Sequence, residues 1–470
     1  MMTSLGWWAL TLAALVLPTV CGGLLVMSAL KTSLDRMTIL WSMAAGHFVG
    51  LGLTALLLAL LRAAGWIDQM LPGAAVLLLL TAGVAGVAVL RRGRRPGFEE
   101  LASPESFGGA AERVLWWLLL LWLLALLLLA GSEALLRPVY PWDAWSAWSV
   151  KARVWSELGP DVRFVAFQQW IRTEDPTVYT NEAWRYPDTL PLIQNWITQW
   201  HGGWDSAAAR MPWVSCALAL GLLLYSTARL TDLRPLLSMI GTFLLLTLPI
   251  LNTQVALAGY ADIWLSAAMV TFVATLMMHL AGKASMWLSL ASLLLVGSLK
   301  LEGVVWALIG LATIMMVRLP RSRRLLAIAA AVAAFVLWLV TGGFSLSLAG
   351  LTFKMTPALI ELPYLGRHPL GFDNQLQSLI TALLDLPNWH LFWLFGLPAA
   401  LWAAWQARNT ADGRGLSSLL LLGLGFLFAL FFFTQAAVWA ESMTASNRLA
   451  LHLAPAVGLW AWVLLGRQHS

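Results

Sequence analysis

The chain has 470 residues, of which 60% are hydrophobic and 11% are charged, with a net charge of +6. A soluble domain has about 25% charged residues, so this composition excludes an ordinary soluble globule, a disordered chain and a collagen-like chain. The 28 Trp are typical of membrane–water interfaces. Both cysteines, Cys21 and Cys216, lie in apolar runs, so no disulfide framework is expected.

Long apolar runs dominate the sequence, and a membrane-spanning helix needs about 20 such residues. They predict an all-α polytopic membrane protein with about 13 transmembrane helices. Two short runs, 286–299 and 303–317, flank the tetrapeptide Lys300-Leu301-Glu302-Gly303, and each is taken as one crossing. The other predicted spans are 5–30, 37–62, 71–90, 114–136, 211–229, 236–252, 262–282, 325–343, 390–406, 417–435 and 450–466.

The basic residues predict the orientation, because Lys and Arg stay on the cytoplasmic side of a membrane. The densest cluster is Arg91, Arg92, Arg94 and Arg95. If this cluster is inside, the alternating direction of successive spans places most of the excess positive charge inside as well. The same alternation places segments 137–210 and 344–389 outside. Arg62 is an exception at the outer end of its span. The positive charge is therefore a topology signal, and no nucleic-acid partner is expected.

The first outer segment, 137–210, predicts two helices. One begins near Asp143 and ends at Gly159-Pro160, with apolar residues at intervals of three and four, as in an amphipathic helix lying along the membrane surface. The other begins near Leu190-Pro191 and ends near Trp200. Asp143 has an alternative interpretation as the N-cap of its helix, because Asp is favoured there.

Aromatic residues are concentrated in this segment. Indole rings anchor helices at headgroup depth, and they also stack on sugars; anchoring is the interpretation preferred for most of them. Trp142 and Trp145 flank Asp143 and are the better candidates for ligand contact. The nine tryptophans are Trp142, Trp145, Trp148, Trp155, Trp170, Trp184, Trp196, Trp200 and Trp204.

Ionisable residues at the edges of apolar spans are costly and indicate function. Asp143, Asp262, the pair Lys300 and Glu302, and Arg448 are all predicted at the outer boundary, as a shared site requires. Each also has a simpler interpretation. Asp262 could cap a helix, Lys300 could reach the headgroups or pair with Glu302, and Arg448 could be an interfacial anchor.

The second outer segment, 344–389, contains Lys354, Tyr364, Arg367 and His368 among apolar residues. It is interpreted either as a loop that closes over the ligands or as a simple connector. The seven His show no metal-ligand spacing, and His452 is interpreted as packing within the bundle.

Five motifs in order resemble the GT-C superfamily of integral-membrane glycosyltransferases, and most of all its bacterial members related to aminoarabinose and protein mannosyl transferases. The motifs are PWDAWSAWSVKA, RYPDTLPLIQNW, AGYADIWLSAAM, SLKLEGVVWAL and SNRLALHLAP. The resemblance covers residues 114–470 as a catalytic core. Residues 1–113 are then an N-terminal addition of three spans with a cytoplasmic loop.

The resemblance implies a polyprenyl-phosphate sugar donor and an active site that faces the periplasm from a bacterial inner membrane. It also implies a catalytic Asp in the first large outer loop, and Asp143 matches it. Many members have a second acidic residue beside that Asp, whereas here the neighbours are Trp142 and Ala144. We therefore expect no metal cofactor, with a divalent metal as the alternative.

The chemistry of such a transfer assigns roles to the charged residues. A lipid phosphate leaves as an anion, so it needs positive charge in the transition state. Arg448 and Lys300 are the first candidates to bind it, followed by Arg185 and Lys151. Asp143 would accept the proton of the acceptor hydroxyl or amine, and this single displacement inverts the anomeric centre.

The remaining site residues have supporting roles. Trp142, Trp145 and Tyr186 are expected to bind the sugar or the acceptor, while Asp262 and Glu302 position the basic residues. The expected partners are the polyprenyl-phosphate-linked sugar, a lipid, glycan or protein acceptor, and membrane lipids.

Three other functions remain open. A transporter or flippase would contain broken helices and internal repeats; the break at Lys300 fits, but no repeat is visible. A glycan ligase or polymerase would use a polyprenyl diphosphate instead. A non-catalytic assembly protein would give the charged boundary residues no purpose.

Overall fold

The computed structural model describes residues 5–66, 70–91, 107–348, 351–362, 366–443 and 445–467. The predicted inner residues Arg92, Arg94 and Arg95 and the loop residue Tyr364 lie outside these ranges. Within them the chain is mostly helical, as predicted.

The α-helices of the described residues follow in chain order. They are α1 (Leu5–Ser28), α2 (Arg36–Ala63), α3 (Met70–Arg91), α4 (Ala110–Leu136), α5 (Ser149–Leu158), α6 (Phe167–Trp170), α7 (Thr189–Gln199), α8 (Met211–Leu230), α9 (Pro235–Leu246), α10 (Pro249–Ala256), α11 (Asp262–Leu280), α12 (Met286–Leu299), α13 (Leu301–Arg318), α14 (Arg321–Val340), α15 (Leu376–Ile380), α16 (Leu397–Gln406), α17 (Ala411–Phe433), α18 (Ala437–Glu441) and α19 (Ser446–Gly466).

Many of these helices are long and apolar enough to cross a membrane. In the described part of the chain 10 pass on length and composition, or up to 11 if a bent pair is counted as one span. They are α1 to α4, α8 with the turn before it, α11, α13, α14, α17 and α19. The protein is therefore a multi-pass membrane protein.

Three predicted crossings are less regular. The pair α9 and α10 bends by 65° at Pro249, whose ring cannot continue the helical hydrogen bonds. The preceding Leu248 is extended, as residues before proline usually are. Helix α12 has 14 residues and α16 has 10, so both are shorter than an ordinary span. The count of about 13 helices stays a prediction.

The chain forms two compact units, which are residues Met1–Ala307 with Ala454–Ser470, and Leu308–Leu453. In the first unit α1 packs along α2, and α2 also packs on α7 and α8. Helix α11 is almost wholly buried there, as a helix that is apolar on all sides should be. The predicted boundary at residue 113 lies inside the first unit, so the division into an addition and a core rests on the resemblance alone.

The strands lie in two small sheets. In the first unit β1 (Arg163–Val165) pairs in parallel with β2 (Val178–Thr180). In the second unit an antiparallel sheet has the order β3 (Phe344–Leu348), β4 (Leu351–Thr356), β5 (Leu359–Leu362) and β6 (Gly366–Pro369). A closing loop or a simple connector is expected there from the sequence, whereas the structure has a sheet. The alternating sequence Phe344-Ser345-Leu346-Ser347 is the strand signal that this prediction overlooked.

Candidate functional site

The residues that follow Asp143 are helical, as predicted. A π-helical turn covers Ala144–Trp148, in which the Ser149 N–H donates to the Ala144 carbonyl, and α5 continues from it. Gly159, with φ of 108°, ends the helix at the predicted position. Asp143 has helical angles (φ −61°, ψ −28°) and makes no capping hydrogen bond, so its alternative interpretation as an N-cap is wrong. Such π turns occur frequently at functional sites.

The π turn packs against the segment that leads into α11. Gly259 has φ of 133°, and a Cβ atom at this position would overlap the Cβ of Ala144. Ala144 is fully buried. A carboxylate at position 144 would therefore have no room. The close packing also brings the helix of Asp143 beside the start of α11 at Asp262.

A first group of charged residues, called the Lys300 cluster, consists of Lys300, Asp262, Glu302 and Tyr186. The Lys300 Nζ donates to Asp262 Oδ1 at 2.9 Å and lies 3.6 Å from Glu302 Oε1. The Tyr186 hydroxyl donates to the same Glu302 oxygen at 3.4 Å. Asp262 is fully buried and the Lys300 side chain is 8% exposed. The ion pair between Lys300 and Glu302 that the sequence allowed is present.

The backbone around Lys300 explains how this cation enters an apolar stretch. Lys300 is extended (φ −155°, ψ 157°) between α12 and α13. Gly303 then passes so close to the Val296 carbonyl that any Cβ atom would clash with it. The tight turn directs the Lys300 side chain onto Asp262. Two carboxylates surround one cation, and Glu302 Oε2 is buried without a hydrogen-bond partner.

A second group, called the Lys151 cluster, consists of Lys151, Asp188 and Arg62. The Lys151 Nζ donates to Asp188 Oδ1 and to the Tyr186 carbonyl, both at 2.9 Å. Arg62 Nη1 lies 3.8 Å from Asp188 Oδ2. The Lys151 side chain is 1% exposed. Burial lowers the pKa of Lys151 below its ordinary value, and the Asp188 carboxylate opposes this change.

Tyr186 joins the two clusters. Its hydroxyl contacts Glu302, and its carbonyl accepts from Lys151. Its ring packs edge-to-face on Trp148 with the ring centres 5.3 Å apart. These contacts give Tyr186 a structural role in linking the two clusters. Its role in binding a sugar stays a prediction.

The other predicted residues of this unit lie nearer to solvent. Trp142 and Trp145 are 57% and 48% exposed, and their rings meet edge-to-face at 4.7 Å. Arg185 is exposed and its guanidinium lies 4.8 Å from the centre of the Trp184 ring. Asp143 is half-buried. A ligand can therefore reach these side chains more easily than it can reach the buried Lys300 and Lys151.

The prediction that most tryptophans of this segment are interfacial anchors is wrong for three of them. Trp148, Trp155 and Trp196 are each at most 2% exposed. Helix α7 begins and ends close to the predicted positions but is buried along nearly its whole length. The first helix is predicted to lie along the membrane surface; Trp155 of α5 and Trp196 of α7 are buried inside the first unit.

Arg448 lies in the second unit, in the first turn of α19, and is half-buried. The adjacent Asn447 is buried, and its Oδ1 accepts a hydrogen bond from Trp389 Nε1 at 2.6 Å. His452 is fully buried, and its interpretation as a packing residue stays a prediction. The meeting of Arg448 with Asp143 and Lys300 in one pocket stays a prediction.

Two residues of the Lys151 cluster were missed. Asp188 lies in the motif RYPDTLPLIQNW but was given no role. The sequence marks Arg62 only as an exception to the predicted orientation, and that exception is the available signal. A cation that breaks the positive-inside rule and is four-fifths buried needs a specific partner.

Among the described residues, no group of three His, Cys, Asp or Glu side chains could hold a metal ion. The expectation that the protein works without a metal stays a prediction. The predicted site residues of this unit that solvent reaches include a carboxylate at Asp143, a guanidinium at Arg185 and the indoles of Trp142 and Trp145.

Comparison of the chain with protein-family models, with curated proteins and with solved structures found no match. The resemblance to GT-C glycosyltransferases thus rests on the five motifs alone.

Proposed function

We propose that this membrane protein is an inverting glycosyltransferase of the GT-C type, with about 13 crossings. It transfers a sugar from a polyprenyl-phosphate donor to a hydroxyl or amine of a lipid, glycan or protein. On this proposal it lies in a bacterial inner membrane and the site faces the periplasm. Nucleotide sugars are cytoplasmic, so a sugar used outside needs a carrier such as a lipid phosphate.

The observation that carries the proposal is the situation of Asp143. It is half-buried at the start of a helix, between two exposed tryptophans along the chain. The adjacent Ala144 is packed on the segment before Asp262. A carboxylate that is accessible, yet fixed by a buried framework, suits a general base.

In the proposed step the acceptor oxygen or nitrogen attacks the anomeric carbon while Asp143 accepts its proton. The bond between the anomeric carbon and the phosphate oxygen breaks, and the lipid phosphate leaves as an anion. One displacement inverts the configuration, and no carboxylate nucleophile is needed. Trp142 and Trp145 offer ring faces to the sugar or the acceptor.

The leaving phosphate requires cations. Of the four predicted ligands we place Arg448 and Arg185 first, because Arg448 is half-buried and Arg185 is exposed, whereas Lys300 and Lys151 are buried. We therefore give the two lysines positioning roles, with Asp262, Glu302 and Asp188 fixing them.

The test uses purified protein with a synthetic polyprenyl-phosphate sugar and a panel of lipid and glycan acceptors. We expect a product of inverted anomeric configuration by NMR. The same sugar on a polyprenyl diphosphate tests the ligase alternative. Transfer from the diphosphate alone, or retention of configuration, would contradict the proposal.

A transporter or flippase is the second candidate, and one observation favours it. Lys300 and Asp262 form a buried ion pair at a break between two apolar helices, an arrangement found in transporters. Liposomes that contain the protein and a fluorescent polyprenyl-phosphate lipid would decide. Translocation between leaflets without any transfer of sugar would support this candidate.

A further inference from the structure

Arg62 is the last basic residue of α2, within the first three spans, for which the sequence suggested no role. Its Nη2 donates to the Val162 carbonyl at 2.6 Å. Its guanidinium carbon lies 4.5 Å from the centre of the Trp155 ring. Its Nη1 lies 3.8 Å from Asp188 Oδ2. Three different contacts thus hold one side chain, which is 20% exposed.

Two of these contacts lead to the helix that follows Asp143. Trp155 and Lys151 are four residues apart on α5 and therefore on the same face. Arg62 contacts Trp155 directly and reaches Lys151 through the shared Asp188 carboxylate. The Trp155 indole also donates to the Val162 carbonyl at 2.9 Å, the same oxygen that Arg62 contacts.

The arrangement fits Arg better than any other residue. A planar guanidinium can stack on an indole while its edge donates to two oxygens. A Lys ammonium is a point charge and would lose the stacking. Because α5 and the π turn are continuous, an immobile α5 fixes the direction of the chain at Asp143.

We propose that Arg62 is a positioning residue, through which the N-terminal spans hold the helix of Asp143 in its reactive orientation. The expected effect on catalysis rests on the proposed function. The contact of Arg62 with the helix of Asp143 does not depend on that function. It assigns the first three spans a role in the site. Misplacing a catalytic group by about 1 Å can cost about 100-fold in rate.

The experiment compares Arg62→Met with Arg153→Met, which removes an exposed arginine from α5 itself. For Arg62→Met we expect kcat to fall by about 10–100-fold with the donor KM near that of wild type, since a positioning residue acts on the transition state. Arg62→Lys should restore part of kcat. Arg153→Met should retain wild-type kcat.

A second readout does not need activity. Amine-reactive labelling followed by mass spectrometry reports the accessibility of Lys151, which is protected in the wild type. Labelling should accelerate in Arg62→Met and in Asp188→Asn, and not in Arg153→Met. Asp188→Asn also serves if Arg62→Met does not fold, because it removes the shared charge and keeps the side-chain volume.

The outcomes separate the two proposals. The positioning role would be overturned if Arg62→Met kept wild-type kcat and unchanged protection of Lys151. The same result in Asp188→Asn would overturn it where that variant takes the place of Arg62→Met. Faster Lys151 labelling together with no transfer by the wild-type protein would retain the contact and reject the proposed function. A fall in kcat that Arg153→Met reproduces would indicate general destabilisation, and would also overturn the inference.

Discussion

Residues 137–210 and residues 344–389 are both long, aromatic and predicted to lie outside the membrane, yet the helical part of the first and the sheet of the second place their large side chains differently. In the first segment Trp148, Trp155 and Trp196 are at most 2% exposed. In the second segment Phe344 and Leu346 are 53% and 54% exposed. The helical part of the first segment supplies core to its unit, while Trp142 and Trp145 stay exposed, and the sheet of the second segment has exposed apolar residues.

The charged residues differ in the same way. The first unit contains Lys300 and Lys151 buried against carboxylates. In the second segment the pair of Arg367 and Glu361 joins neighbouring strands at 3.0 Å, with the Arg367 side chain 74% exposed. Changes at equivalent residue types should therefore have large effects in one region and small effects in the other.

The largest effect is expected at Asp143. Replacing it with Asn removes the general base and should lower kcat by about 10²–10⁴-fold. The matched control is Glu157→Gln on α5, whose carboxylate is 51% exposed and pairs with Arg153. Steady-state transfer kinetics measure both. Equal activity of Asp143→Asn and Glu157→Gln would remove Asp143 from the catalytic role.

The next effect concerns stability. Lys300→Met leaves the fully buried Asp262 without its cation, and breaking a buried pair costs about 3–5 kcal/mol. Lys354→Met in β4 is the control from the second segment. Thermal unfolding in detergent should show a much lower melting temperature for Lys300→Met alone. Equal melting temperatures would show that the Lys300 cluster is not a buried framework.

A smaller effect depends on pH. His201 lies 3.0 Å from the Thr11 hydroxyl, and burial lowers its pKa below the ordinary 6.5, against the attraction of Asp205. Folding thus favours the neutral ring. The contribution of this ring to the stability of the folded protein is complete above pH 6.5 and is lost as the pH falls through the lowered pKa. Between neutral and acidic pH, the melting temperature of the wild type should fall by more than that of His201→Gln. Equal falls in the two proteins would contradict this.

The smallest effect is expected at Arg367. An exposed ion pair contributes about 0–1 kcal/mol, so Arg367→Gln should leave the melting temperature close to that of wild type. A loss as large as that of Lys300→Met would mean that the sheet of the second segment holds its charges as tightly as the Lys300 cluster does, and the contrast would fail.

Much of the fold could be predicted from the sequence. Hydrophobic runs predicted helices such as Leu5–Ser28 and Asp262–Leu280 to within a few residues, because the length of a span follows from the thickness of the bilayer. Gly159 and Pro191 marked helix ends because their backbone preferences are local. The alternation at Phe344–Leu348 was equally local but was not used.

The site could be predicted only in part. The sequence selected Asp262, Lys300 and Glu302 because charge at the edge of a span is costly, and the structure joins them. It did not show that a buried Lys151 would pair with Asp188, nor that Arg62 contacts Trp155. Those contacts join residues far apart along the chain, so no local period or motif reports them. The burial of the tryptophans likewise depends on residues that are distant in the sequence and pack against them.

The most direct test of the central claim is mass spectrometry of envelope lipids and glycans from cells that express wild type or Asp143→Asn at equal levels. The account predicts molecules heavier by one sugar residue in the wild-type cells, and their absence in the variant, with the polyprenyl-phosphate sugar accumulating instead. Identical lipids and glycans in both cells would contradict it.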